Sequence, residues 1–325
     1  MKRKSNVFEK IVNRGNLLTA HKRASRGKKH YSSVREVNED LENKLSELKE
    51  CLMTNYSLCK KDYTHEVIID KGKERDLYKL PYFPHRVIQW AIMNVVMGDF
   101  MRNFTSDTYA SIKGRGIHLA VKKMKLALGK NREETKYCLK LDIKKFYPNI
   151  NNKILYSKIE RKYKDERFLN LMKEIVFSMG DKGIPIGSLL SQYLANFYLS
   201  SFDHYCKEEL KLKFYFRYMD DIVILHKDKA YLHRLKILFD DVFREGYDLK
   251  IKENWQVFPI ESRGLDFVGY RFFHNRTILR KRIYKKARYV FSRKIRHKAH
   301  YSYYGWCKHA NITDFMIKHG VYENG

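Results

Sequence analysis

The sequence predicts an α+β globule with helices packed on an antiparallel sheet, and three observations carry that expectation. Helix-period and strand-like segments are mixed along the 325 residues without alternating as repeated βαβ units, which argues against a doubly wound sheet. Two short β-rich runs, KFYFRY (213–218) and IVILH (222–226), are separated only by Met219-Asp220-Asp221, and so brief a connection joins antiparallel neighbours. Apolar residues make up 44% and aromatics 14%, ample for a packed core, while 16 Gly and 5 Pro are too few for a disordered or fibrous chain.

Element by element, a basic segment over 1–31 gives way to a helical pattern at 34–59. There Val37, Leu41, Leu45, Leu48 and Leu52 fall at helical spacing, over too few heptads for a partner zipper, so the stripe reads as core. VIID (67–70) is followed by KGKERDLYKLP, a glycine turn among basic residues. A helix is expected from about Pro84 to Asn103, then glycine punctuation at Gly114 and Gly116. KYCLKLDI (136–143) reads as a buried strand, ended by FYPNI with its Pro148. KILYSKIERKY and FLNLMKEIVFSM are helical, and the turn-rich GDKGIPIG opens a further helix at about Leu189–Leu210. After the 213–226 hairpin, a helix ends at Gly246, and strand-like pieces lie around LKIK, WQVFP and DFVGYRFF. No internal repeat is visible.

Charge narrows the partner. Lys and Arg number 66 against 37 Asp and Glu, a formal net charge of +29. Residues 1–31 hold ten of these cations and one acid, Glu9; residues 276–309 hold twelve and no acid. In the second stretch Tyr284, Tyr289, Phe291, Tyr301, Tyr303, Tyr304 and Trp306 are interleaved with the charges. Cations for phosphates beside rings for bases is the composition of a surface that tracks a nucleic-acid strand, some of the rings being ordinary core. The competing readings are a merely basic protein and an anionic membrane surface. No apolar run approaches the ~18 residues of a membrane span, and MKRKSN lacks the apolar stretch of a secretion signal. Five cysteines (Cys51, Cys59, Cys138, Cys206, Cys307) without a CxxC pair argue against a disulfide framework or a cysteine zinc site, so a reducing, cytoplasmic setting is expected.

Three carboxylates carry the chemistry. Asp142 ends a buried apolar strand, and Asp220 and Asp221 occupy the tip of the 213–226 hairpin. Adjacent residues of a regular strand face opposite ways, but at a bent tip both can reach one locus. Carboxylates beside apolar strands are costly unless paired or bound to metal. Hard oxygen ligands select magnesium, and two ions ~3.5–4 Å apart activate a 3′-hydroxyl and stabilise a leaving pyrophosphate. The plainer alternative is an acidic turn, with Asp142 as a helix cap.

Further segments stand in order around these acids: LDIKKFYPNI (141–150), GIPIGSLLSQYLANFYL (183–199) and LDFVGYRFF (265–273). Over roughly residues 65–310 the chain resembles a reverse transcriptase. Tyr218-Met219-Asp220-Asp221 is similar to the family's YxDD box, and the three segments are similar to its first catalytic box, its template- and nucleotide-contacting box and its primer-grip region. The resemblance implies a right-hand polymerase fold: a basic N-terminal extension (1–31), fingers (32–135), a palm of antiparallel sheet backed by helices (136–275) and a small helical thumb (276–325). It implies that Asp142, Asp220 and Asp221 ligate two Mg2+ ions with the Ile143 carbonyl, Asp221 being the more peripheral. Tyr147 would be the steric gate against a ribose 2′-hydroxyl, next to Phe146. Lys73 and Arg75 would hold the incoming triphosphate, with Lys71 or Lys79 as alternatives, and Ile186, Gly187 and Gln192 would border the nucleotide. Tyr218, Met219, Gly269, Tyr270, Arg280 and Lys281 would contact primer and template. Arg86 matches either the arginine after the family's first box or an ordinary helix-start cation. Near Lys252 the family often has a lysine that protonates pyrophosphate, but ENWQVF replaces the common Lys-Thr pair.

At Ile186 the chain departs from most reverse transcriptases, which have Gln-Gly and a later Ser-Pro where this chain reads Ile186-Gly187 and Ser191-Gln192. This form is similar to the diversity-generating retroelement branch of bacteria and phages, as are SDTYASIKGRGIHLAV (106–121), YYGWCKHAN (303–311) and the compact length without a nuclease or maturation domain. The expected partners are a template RNA, an RNA/DNA hybrid, deoxynucleoside triphosphates and a basic accessory variability protein, with no membrane. The resemblance implies complementary DNA mutagenised opposite template adenines; physically, isoleucine cannot offer the amide hydrogen bonds of glutamine, which should loosen discrimination among incoming bases, the plainer alternative being a hydrophobic replacement without effect on fidelity. Retron, group II intron-like and phage-defence reverse transcriptases are the alternatives within the enzyme class, and a non-catalytic RNA-binding scaffold of the same fold is the alternative outside it.

Overall fold

A computed structural model describes residues 3–54, 56–70, 72–293 and 298–321. The chain forms two compact units, one from Met1–Thr105, Lys144–Phe202 and Arg244–Leu249, the other from Ser106–Ile143, Asp203–Phe243 and Lys250–Gly325.

The first unit is built on the helix Val87–Asn103, which buries Val87, Ile88, Ala91, Ile92, Val96 and Phe100 on more than one side. A helix that is apolar nearly all round needs neighbours on every flank. Arg14–Ala24 and Leu189–Tyr198 supply two of them, and the Phe100 and Phe197 rings meet at 5.0 Å. The basic segment over 1–31 hides an apolar stripe, Phe8, Ile11, Val12, Leu17 and Ala20, which is buried on the helices Phe8–Val12 and Arg14–Ala24. One carboxylate starts two helices. Asp165 accepts from the Val7 and Phe8 amides at 2.6 and 2.9 Å and, through its other oxygen, from the Phe168 amide at 3.2 Å in the first turn of Glu166–Val176.

The single helix expected at 34–59 is two, Ser32–Glu39 and Leu41–Met53. The break is Asp40, whose backbone (φ −130°, ψ 49°) is not helical and which stands as the N-cap of the second helix. Strand β1 (Thr64–Asp70) and strand β2 (Lys73–Lys79) form a hairpin paired from Thr64↔Lys79 to Asp70↔Lys73. The charged KERDLYK did not read as a strand because neither face of this hairpin is deeply buried, Val67 and Ile69 included. The helix expected from Pro84 begins at Val87 after a wide turn, Tyr82–Arg86, and that expected over Leu189–Leu210 breaks after Tyr198 and continues as Ser200–His204 and a wide turn, Tyr205–Glu209. Pro148 lies within a short helical turn, Phe146–Asn149.

In the second unit, β3 (Tyr137–Asp142), β4 (Phe214–Tyr218), β5 (Asp221–His226) and β6 (Gln256–Pro259) make an antiparallel sheet in the order β4-β5-β3-β6. A second sheet, β7 (Leu265–Phe267), β8 (Tyr270–Phe272) and β9 (Thr277–Leu279), is also antiparallel. LKIK contributes no strand, only an isolated bridge, Ile143↔Ile251. Register dictates what the larger sheet buries. Cys138, Phe214, Phe216, Val223 and Leu225 share one face and join Val121, Met124 and Leu128 of the helix Ile117–Lys130 in a core with Phe267, Tyr270, Phe272, Val290 and Phe291. Two residues further along that face stand Lys140 and Val223, then Asp142 and Asp221.

Asp165→Ala should lower stability by about 2 kcal/mol, the sum of two ordinary capping contributions, read as a shift in urea midpoint without a change in m.

Candidate active site

The site grows from the end of the β4–β5 hairpin. Asp221 is the first residue of β5 and pairs with Asp142, the last of β3, so the two side chains leave the sheet on one face. Met219, between Tyr218 and Asp220, adopts φ +55°, and this left-handed residue turns the chain through Asp220. The Asp220 carbonyl accepts from the Ile143 amide at 3.3 Å, which ties the hairpin tip to the residue after Asp142. Burial and the neighbouring Asp142 carboxylate push Asp220 up to about 6. Burial does the same to Asp221, also about 6, against the pull of Lys140, whose Nζ stands 3.5 Å from Asp221 Oδ2. Asp221 Oδ1 is buried without a hydrogen-bond partner.

Two lysines compensate this charge. Lys252 donates to Asp142 Oδ1 through Nζ and, at 2.8 Å, to the Asp142 carbonyl through its backbone amide. Lys140, two residues before Asp142 on the same face, also donates to the Asp266 carbonyl. Neither contact was legible in advance, although the alternation of β3 places Lys140 beside Asp142 and was the available signal. Among the described residues no three His, Cys, Asp or Glu side chains form a ready-made metal cluster, the lysines holding Asp142 and Asp221 instead. A cleft of about 360 Å³ opens beside Asp142, lined by Lys140, Asn254, Gln256, Arg263, Asp266 and Arg271.

The other residues of this unit stand on the second sheet and after it. The β7–β8 turn carries Val268 at φ +42° and Gly269 at φ +90°. A Cβ on Gly269 would lie 2.5 Å from Trp306, so only glycine fits, and the Gly269 carbonyl accepts from the Arg280 amide at 3.0 Å. Tyr270 donates its hydroxyl to the Trp306 carbonyl at 2.9 Å. Arg280 forks onto Asp266, and Lys281 is exposed at the start of the helix Lys281–Ser292. Tyr218 is half-buried.

Phe146, Tyr147, Ile186, Gly187, Gln192, Lys73 and Arg75 belong to the first unit. Phe146 is buried edge-to-face against half-buried Tyr147, whose carbonyl accepts from Ile184 at 3.1 Å. The Ile186 carbonyl accepts from the Tyr78 amide of β2 at 3.2 Å. Gly187, at φ +130°, would put a Cβ 3.1 Å from Leu77 and 3.3 Å from the Tyr78 carbonyl, so the close approach to β2 requires glycine. Ser188 caps the next helix by accepting from the Ser191 amide at 3.0 Å, and Gln192 is half-buried within it. A cleft of about 270 Å³ beside Gly187 is lined by Leu77, Tyr78, Arg86, Gln89 and Trp90. Arg75 is exposed on β2, the Lys73 side chain and Lys71 lie outside the described residues, and Lys79 pairs with Glu66.

Residues 59–272 match the family model "Reverse transcriptase (RNA-dependent DNA polymerase)". Protein YkfC of Escherichia coli K12 is 24% identical over 200 residues, 58% of this chain and 47% of YkfC. Retron Ec73 reverse transcriptase of Escherichia coli is 26% identical over 220 residues, 63% of this chain and 66% of the retron enzyme. The chain thus spans about half the length of the first of these relatives and just under two thirds of the second. Telomerase from Candida albicans, solved with a fragment of telomeric RNA, superposes with a TM-score of 0.52 at 12% identity, covering 79% of this chain and 55% of that one. Apo telomerase from Candida tropicalis gives 0.50 at 13% identity, covering 80% and 54%. These structural likenesses speak to fold, and they agree with the right-hand polymerase class expected from the sequence. With its family match covering more than half of its length, the chain belongs to the reverse transcriptase family.

Proposed function

We propose that the chain is an RNA-directed DNA polymerase that extends a DNA 3′ end by two-metal nucleotidyl transfer. The observation that carries this reading is the register that sets Asp142 opposite Asp221 with Asp220 in the adjoining turn. The donor set suits a hard divalent cation. It offers only oxygens, it leaves Asp221 Oδ1 buried without a partner, and burial pushes Asp220 and Asp221 toward protonation. Asp142, Asp220, Asp221 and the Ile143 carbonyl would hold two Mg2+ ions, which when bound supply activation of the 3′-hydroxyl and stabilisation of the leaving pyrophosphate. The remaining roles fall to the chain itself. Lys252, anchored at Asp142 by its backbone amide and by its ammonium group, would be the proton donor to the leaving pyrophosphate. Lys73 and Arg75 hold the triphosphate, Tyr147 excludes a ribose 2′-hydroxyl, and Phe146, Ile186, Gly187 and Gln192 border the base pair being formed. Tyr218, Met219, Gly269, Tyr270, Arg280 and Lys281 hold the primer and template. In this assignment residues 32–135 act as fingers, 136–275 as palm and 276–325 as thumb. The partners are a template RNA, its RNA/DNA hybrid and deoxynucleoside triphosphates.

Within the family, the Ile186-Gly187 and Ser191-Gln192 pattern supports a diversity-generating retroelement enzyme that writes complementary DNA with errors opposite adenine, working with a basic accessory protein. Because the Ile186 backbone is fixed by Tyr78, the half-buried side chain is the variable at that position, and an aliphatic one gives no polar tether to discriminate bases. A second reading, a retron-type reverse transcriptase, is favoured by the identity with the Retron Ec73 reverse transcriptase. Among the described residues no helix is long and apolar enough to cross a membrane.

Three outcomes are expected. Asp220→Ala abolishes extension of a DNA primer on an RNA template with Mg2+ while binding of the hybrid persists; a wild-type chain that binds the hybrid yet never extends it would favour the scaffold. Ile186→Gln lowers the frequency of substitutions opposite adenine in sequenced complementary DNA, whereas an unchanged frequency removes Ile186 from fidelity. The third concerns pH. Asp220 and Asp221 near 6 lie above the ordinary carboxylate value, so the folded chain binds their protons more readily than the unfolded chain, and these groups cost stability as pH rises from about 4 through 6. Asp221→Asn therefore stabilises the cation-free protein by up to about 3 kcal/mol at pH 7.5 in urea denaturation, and cation affinity of the wild type weakens as pH falls below about 6.

A further inference from the structure

We propose that Arg217 is a positioning residue for the turn that carries Asp220, acting from a buried cluster with Asp203 and Thr108; the proposal rests on the polymerase reading above. Arg217 lies on β4, one residue before Tyr218, and its side chain is fully buried, as is that of Asp203. Its Nε and one terminal nitrogen donate to the two Asp203 oxygens at 2.6 and 2.5 Å. The other terminal nitrogen donates to the Met219 carbonyl at 3.0 Å. That carbonyl belongs to the same planar peptide as the Asp220 amide, so holding it fixes the plane from which the Asp220 side chain departs. Met219 is also the left-handed residue of the turn, a conformation that costs energy for any residue with a Cβ and that needs support from outside.

The guanidinium cannot rotate away, because Asp203 is itself held. Its oxygens accept from the Tyr215 hydroxyl at 2.6 Å and the Thr108 hydroxyl at 2.8 Å. Thr108 sits in SDTYAS, the segment that also covers the edge of β4. The Arg217 amide donates to the Asp107 carbonyl at 2.9 Å, and the Arg217 carbonyl accepts from Tyr109 at 3.0 Å. Backbone and side chain of Arg217 are thus clamped by one segment. A buried ion pair is by itself a weak source of stability and would be complete with the two bonds to Asp203. The third bond points at the metal-binding turn, and it uses the fork of arginine: a lysine ammonium has no planar array to satisfy both partners.

The test uses the full chain carrying Arg217→Lys, with Thr108→Val as the milder variant that decides the matter should Arg217→Lys not fold. Mn2+ affinity without substrate is read by electron paramagnetic resonance, beside kcat on a primed RNA template and affinity for that hybrid. Arg217→Lys is expected to weaken Mn2+ binding about tenfold and to lower kcat, and Thr108→Val to do so about threefold, as for residues that orient metal ligands. Hybrid affinity should stay unchanged, and extension should recover at high Mn2+ in both variants but not in Asp220→Ala. A folded variant that keeps Mn2+ affinity within about twofold of wild type would make the cluster purely structural. If the wild type binds Mn2+ and extends while the variants match it, only the positioning role falls; a wild type that does neither overturns the polymerase reading as well.

Discussion

The constraint on which the structure depends is the pairing register of β3 against β5. One face of that sheet begins as core, with Cys138 opposite Leu225, and ends with Asp142 opposite Asp221. A slip of one residue would exchange the faces and send Asp142 to the opposite side while turning Cys138 out of the core. The apolar residues that fix the register therefore also fix the carboxylates, and folding energy holds like charges together that would separate in a loop. Burial first and the neighbouring Asp142 carboxylate after it shift Asp220 and Asp221 upward, and Lys252 and Lys140 moderate that cost at Asp142 and Asp221.

A second theme is backbone conformation forced by close approach. Gly269 has no room for a side chain against Trp306, and Gly187 has almost none against β2. Val268 and Met219 adopt left-handed conformations without being glycine. The positions lie in the boxes that carry the family resemblance, where geometry is set by what the turn must present and not by what the local sequence prefers.

Much of this was legible in the sequence for a simple reason: hairpins and their tips are local. Two β-rich runs around Met219-Asp220-Asp221 specify an antiparallel pair without reference to the rest of the chain, and an apolar run ending in Asp142 specifies a strand that finishes in a carboxylate. What escaped was either masked or non-local. The helices Phe8–Val12 and Arg14–Ala24 were masked by the charge around their apolar stripe, and β2 by exposure that let it be built from charged residues. Asp40 broke a helix through a non-helical backbone conformation that periodicity does not register. Thr108 is far in sequence from Asp203 and Arg217, and no spacing rule brings the three together. The contact of Lys252 with Asp142 is of the same kind, since the surrounding ENWQVF departs from the family pattern while the ammonium still reaches the carboxylate.

The most direct measurement is anomalous diffraction from crystals of the full chain soaked in Mn2+. The account predicts manganese peaks within ligand distance of Asp142 and of Asp220 or Asp221, with the Lys252 ammonium displaced from Asp142. Strong manganese peaks elsewhere, with Lys252 still seated on Asp142 at saturating cation, would contradict it.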